Sequence, residues 1–169
     1  YVYALTNTGL FVSLYGSNEL KTRMMDGSSL EISQETDYPW DGNIKIMIQK
    51  TSGKIFDINL RIPAWSENAQ IRINGEDFPI KNEAGTYVKI NRKWKKGDVI
   101  HLNLPMKVRL MEANPLVEET RNQIAVMRGP IVYCLESTDL PGKRIFDILI
   151  PENIHLEAMK GEIAGAQLC

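Results

Sequence analysis

Alternating polarity dominates this sequence, and the clearest run is Phe56, Ile58, Leu60 and Ile62 interleaved with Asp57, Asn59 and Arg61. Successive side chains of a strand point to opposite faces, so a period of two predicts a half-buried strand with one apolar and one wet face. Ile44, Ile46 and Ile48 alternate with Lys45, Met47 and Gln49, and the turn Thr51-Ser52-Gly53-Lys54 predicts a hairpin to the Phe56 strand. Ile71 and Ile73 run into Asn74-Gly75, a pair that tolerates the positive φ angles of a two-residue hairpin turn. Val88 and Ile90 precede Lys96-Gly97-Asp98, after which Ile100, Leu102 and Leu104 share a face until Pro105 removes a ladder donor. A further antiparallel pair is expected there.

Tyr1–Leu5 and Leu10–Tyr15 flank Thr6-Asn7-Thr8-Gly9, and Leu20–Met25 and Leu30–Glu35 flank Asp26-Gly27-Ser28-Ser29, so both predict hairpins. Val108–Met111, Ile124–Met127, Ile131–Leu135 and Phe146–Ile150 are the remaining strand candidates, broken by Gly129-Pro130 and Leu140-Pro141-Gly142. No window sustains apolar residues at helical spacing for long, and Glu157–Ala166 is the one weak helix signal. Ten or more short strands that each bury one face are best accommodated by two stacked sheets with short connections. The expected fold is therefore all-β, an antiparallel, jelly-roll-like β-sandwich with little helix. Residues 1–150 are expected to form the sandwich, and 151–169 a tail or the start of a further element.

A chain of 169 residues is long enough to bury a full core, and 43% apolar with 24% charged residues is a globular balance. Twenty basic residues against 21 acidic ones leave a formal charge of −1, so no single-sign field draws nucleic acid or anionic lipid. The basic stretch Arg92-Lys93-Trp94-Lys95-Lys96 reads as a polar hairpin end. Apolar runs fall well short of the ~20 residues that cross a bilayer as a helix, and no signal segment opens the chain. Compartment stays open between cytoplasm and periplasm. The sequence starts at Tyr1 inside a strand pattern, which sets the expectation of a piece of a longer chain.

Reaction chemistry finds little support. His101 and His155 are the only histidines, Cys134 and Cys169 the only cysteines, and no C-x-x-C or H-x-x-x-H spacing joins them, so no metal site is expected. Cys134 lies in the apolar run Ile131–Leu135 and reads as a buried free thiol. Glu118-Glu119 could serve a glycosidase only with partners elsewhere, because adjacent carboxylates usually diverge. No G-x-S-x-G elbow, phosphate loop or dinucleotide fingerprint is present, so no cofactor is expected. Asp37-Tyr38-Pro39-Trp40-Asp41 is the most suggestive segment: an indole beside carboxylates can stack on a sugar face and bond its hydroxyls, whereas aromatic residues next to Pro at a strand end more often plug a core margin or a domain interface. Trp65 and Trp94 invite the same readings less strongly. The candidate carbohydrate or interdomain contacts are thus Asp37, Tyr38, Trp40, Asp41 and Trp65.

Four blocks carry a family resemblance: Leu14-Tyr15-Gly16-Ser17-Asn18, Thr36 to Gly42, Leu60-Arg61-Ile62-Pro63-Ala64-Trp65, and Arg128-Gly129-Pro130-Ile131-Val132-Tyr133-Cys134-Leu135-Glu136. In these blocks, and in their order, the chain resembles glycoside hydrolase family 127, the β-L-arabinofuranosidase-like proteins, up to about Glu136. The resemblance implies a catalytic (α/α)6 barrel followed by β-sandwich regions, with this chain as the β part. It also implies a parent with a cysteine nucleophile and a glutamate acid/base beside zinc, marked by an adjacent Cys-Cys pair. No such pair occurs here, and Cys134 matches a sandwich block, so no catalytic role passes to it. The implied partner is an upstream helical catalytic domain of the same chain, docked through an aromatic patch drawn from Tyr1, Tyr3, Phe11, Tyr15, Tyr38 and Trp40. Carbohydrate and a second copy of the fragment are the other expected partners.

Overall fold

Two sheets enclose one core in the computed structural model, which describes residues 1–169 except 82, 83, 152, 160, 164, 165 and 169, and the backbone alone at 146, 161–163 and 166–168. The chain divides into two compact units, Tyr1–Met106 and Lys107–Cys169. In the first, β1 (Tyr3–Leu5), β2 (Gly9–Val12), β6 (Ile55–Arg61) and β9 (Tyr87–Lys93) form a four-stranded sheet in the order β1-β2-β6-β9. The second sheet has six strands in the order β3-β4-β5-β10-β7-β8: β3 (Asn18–Arg23), β4 (Ser29–Thr36), β5 (Asn43–Lys50), β10 (Val99–Asn103), β7 (Gln70–Ile73) and β8 (Glu76–Phe78). The inward sets meet in one cluster: Leu10, Ile58 and Ile90 from the smaller sheet, Ile32, Ile46 and Ile100 from the larger. The all-β sandwich expected from the alternation is therefore what forms. One pair departs from it, since β2 and β6 run parallel.

The β1–β2, β3–β4 and β7–β8 hairpins form as expected. At the last, Asn74 and Gly75 take φ of 54° and 88°, the positive pair that a two-residue turn needs. Two other expected pairs do not form. β5 and β6 lie in different sheets, as do β9 and β10, so Thr51–Lys54 and Lys95–Asp98 carry the chain across the sandwich. The physical reason at the second crossing is Trp94, which is fully buried and donates its indole N–H to the Phe56 carbonyl at 3.1 Å. The basic stretch is thus a corner plugged by an indole, with the Arg92 guanidinium 5.2 Å from the ring, and not a polar hairpin end.

Nor is β6 half wet. Asp57 and Asn59 are buried along with Phe56, Ile58 and Leu60, because β2 and β9 flank them on both sides. Asn59 donates to the Leu10 carbonyl at 3.2 Å. Nearby, Phe11 and Tyr87 meet edge to face at 5.0 Å.

The second unit has an antiparallel sheet of β11 (Val108–Glu112), β12 (Ile124–Arg128) and β13 (Ile131–Tyr133), and a hairpin of β14 (Gly161–Ile163) and β15 (Ala166–Leu168). The division falls after Met106, and β11 pairs with β12. Phe146–Ile150 is not a strand: a 3-10 turn spans Ile145–Asp147, closed by the Arg144–Asp147 ion pair at 2.7 Å. The described part of Glu157–Ala166 contains β14 and no helix.

Candidate functional site

The Asp37–Asp41 segment joins β4 to β5 at one end of the six-stranded sheet. Its shape is set by short-range bonds. The Asp37 carbonyl accepts the N–H groups of Trp40 and Asp41, and the Asp41 carboxylate accepts the backbone and side-chain N–H of Asn43 at 2.6 and 2.7 Å. Thr36 donates its hydroxyl to the Asn43 carbonyl and accepts the Tyr38 N–H, which closes the loop across its base. The Tyr38–Pro39 peptide is cis.

This loop holds Tyr38 half-buried against Tyr15, edge to face at 6.0 Å. Tyr15 in turn donates its hydroxyl to the Arg61 carbonyl at 2.6 Å. Burial, reinforced by Tyr87 and Tyr38 and opposed by Arg61, holds the Tyr15 phenol well above its usual range. Burial also raises Tyr38. Both phenols stay protonated at neutral pH, and Tyr15 acts as a structural donor. Trp40 stays 43% exposed with Asp37 and Asp41 exposed beside it in the chain. Trp65 packs its half-buried indole against the core. Sequence reading placed Tyr15 and Arg61 in resemblance blocks without pairing them; only the parallel β2–β6 alignment, which sends both strands to the same end, brings them together.

The remaining candidates scatter. Glu118 and Glu119 form an exposed 3-10 turn, and Glu118 faces Arg121 at 3.9 Å. Cys134 is exposed, which corrects the buried reading: it follows the short edge strand β13, past the point where pairing with β12 ends. Cys169 lies outside the described residues. His155 sits 3.2 Å from Glu157. Among the described residues, no three His, Cys, Asp or Glu side chains converge as a metal site.

His101 is exposed on the outer face of β10, in the middle of a registered row Glu35–Lys45–His101–Arg72–Asp77 that crosses five strands. Lys45 pairs with Glu35 at 2.8 Å and Arg72 with Asp77 at 2.7 Å. Where carboxylates shift, they shift down, as at Asp26, Asp57, Asp98 and Asp147. A general acid at neutral pH needs the opposite displacement.

Residues 9–106 match the family model described as the GH127 middle domain of β-L-arabinofuranosidase, and residues 108–162 match the glycoside hydrolase family 127 C-terminal domain. A non-reducing end β-L-arabinofuranosidase of Bifidobacterium longum subsp. longum is 34% identical over 122 residues, 68% of this chain and 18% of that protein. A solved glycoside hydrolase superposes at a TM-score of 0.91 with 44% identity, over 98% of this chain and 28% of that one. A GH127 β-L-arabinofuranosidase from Geobacillus stearothermophilus T6 gives 0.86 with 38% identity, over 95% and 25%. The chain thus spans less than a third of the length of each of these relatives.

Proposed function

Because the chain belongs to glycoside hydrolase family 127, we propose that it is a non-catalytic β part of a β-L-arabinofuranosidase-like hydrolase, supporting a helical catalytic barrel elsewhere in the parent protein. The observation that carries this reading is that residues 9–106 and 108–162 match the family's middle and C-terminal domains, while the chain spans less than a third of the length of its relatives. In support, the surroundings of Asp26, Asp57, Asp98 and Asp147 all hold their carboxyls below the usual range, opposite to what a general acid needs. The cysteine nucleophile, glutamate and zinc implied for the parent belong to its catalytic region. The docking surface runs through Tyr38 and Trp40, and the fragment alone would use that patch to dimerise.

The test compares hydrolysis of an aryl β-L-arabinofuranoside by this chain and by a protein extended upstream through the helical domain. Activity confined to the longer protein is the expected result. Turnover by the chain alone overturns the reading and points to Glu118, Glu119, Asp37 and Asp41.

A second reading is favoured by the 43% exposure of Trp40 between two exposed carboxylates in sequence: a carbohydrate-binding module that stacks a sugar on that indole. Tryptophan fluorescence titrated with arabinose-containing oligosaccharides is then expected to saturate. A flat titration removes this reading.

A further inference from the structure

At the end of the sandwich opposite Trp40, three turns converge on a cavity of about 340 Å³: Asn7 and Thr8 before β2, Met24–Ser28 before β4, and Ser52–Lys54 before β6. Its lining includes two carboxylate–ammonium pairs. Lys89 bonds Asp57 at 2.8 Å, and Lys54 bonds Asp26 at 2.7 Å. The Asp57 side chain is only 3% exposed and also accepts bonds from the Asn91 amide and the Thr8 hydroxyl. Asp26 is held by the N–H and hydroxyl of Ser28. The rim carries Met25 and Ile55, 66% and 65% exposed.

From this arrangement we propose that the cavity binds a neutral polyhydroxylated ligand the size of one sugar ring. Two lysines and two aspartates among the lining residues cancel, so the site has no net charge to hold an anion. Each ammonium uses one N–H on its aspartate and keeps two donors, and the exposed Asp26 carboxylate, unlike the buried Asp57, still presents an accepting oxygen to the cavity. Donors and an acceptor side by side suit hydroxyls, which do both. The apolar rim covers the C–H face of such a ring, the usual mixture in small-molecule sites, and the volume is at the low end of their range. The inference stands on the cavity and not on the supporting-module reading.

The test is a ¹H–¹⁵N NMR titration of the chain with L-arabinose and with myo-inositol, and inorganic phosphate as the anionic probe. Saturable shifts at Thr8, Asp26, Lys54 and Asn91 are expected with at least one polyol, at a Kd of roughly 1 mM for a ligand of about ten heavy atoms in an open site. Lys54→Met removes an exposed donor without touching the buried Asp57 pair, and weakens binding about tenfold. Lys45→Met, on the other sheet, leaves the titration unchanged. No saturable shift with either polyol, shifts clustered at Asp37–Gly42 instead, tighter binding of phosphate, or indifference to Lys54→Met overturns the proposal.

Discussion

A methyl group on Gly42 would lie 2.0 Å from the carbonyl oxygen of Leu104, across the bond that the Leu104 N–H makes to Gly42. Either the contact or the closure of the Asp37–Asp41 loop must give. Gly42→Ala is expected to cost about 2–3 kcal/mol in urea unfolding, whereas Gly16→Ala, with open space around it, should stay within about 0.5 kcal/mol. Asp57 is a second residue whose surroundings set a measurable sign. Burial pushes its pKa up, but the bonds from Lys89, Asn91 and Thr8 together outweigh it and the net displacement is downward. A depressed folded pKa contributes stability that is present above the unfolded value of about 3.9 and is lost as pH falls through the folded one. Asp57→Asn is therefore expected to lower stability at neutral pH by about 1–3 kcal/mol, because an amide accepts more weakly than the buried carboxylate from Lys89, Asn91 and Thr8, and to flatten the loss of stability below about pH 4. Unfolding at several pH values checks both parts.

Between elements, turns lock to one another. Asn74, in the β7–β8 turn, accepts the Val99 N–H at 2.8 Å and donates to the Asp98 carboxylate at 2.9 Å. Asp98 also receives the Lys95 N–H at 2.9 Å, which closes the corner from β9 to β10. Asn74→Ala and Asp98→Ala should each destabilise by about 1–3 kcal/mol, and a double-mutant cycle should show a coupling of at least about 0.5 kcal/mol. Strict additivity would mean that the two turns are held independently. The neighbouring corner rests on Trp94, and Trp94→Phe is expected to cost about 1–3 kcal/mol by leaving the Phe56 carbonyl without its donor. The turns at 51–54 and 95–98 look like hairpin turns because a turn's residues specify a reversal of direction. Whether the next strand joins the same sheet or the facing one depends on which buried group fills the corner.

For the whole molecule, every buried apolar side chain among the described residues lies between Leu10 and Leu104. Residues 1–106 hold that core by themselves, so truncation after Met106 is expected to leave a cooperative thermal transition, shifted by less than about 8 °C. A truncated chain without such a transition would show that the second unit is needed for the first to fold. The period of two in β4, β5, β7, β9 and β10 was enough to determine an all-β sandwich and its inward residues, because a strand's alternation maps directly onto its two faces. The Asn74-Gly75 turn was equally legible, since few residue pairs accept two positive φ angles. Asp57 and Asn59 defeated the same logic: a polar residue on the outer face is wet only if its neighbouring strands leave it so, and those neighbours, β2 and β9, are distant in sequence. The aromatic segment Asp37–Asp41 was visible as composition, yet its contact with Tyr15 and the cluster of Asp26, Lys54, Asp57 and Lys89 came from the tertiary structure alone. Local sequence determines the direction and amphipathy of each strand, whereas strand order, parallel pairing and the convergence of distant turns follow from how the two sheets jointly fill one core.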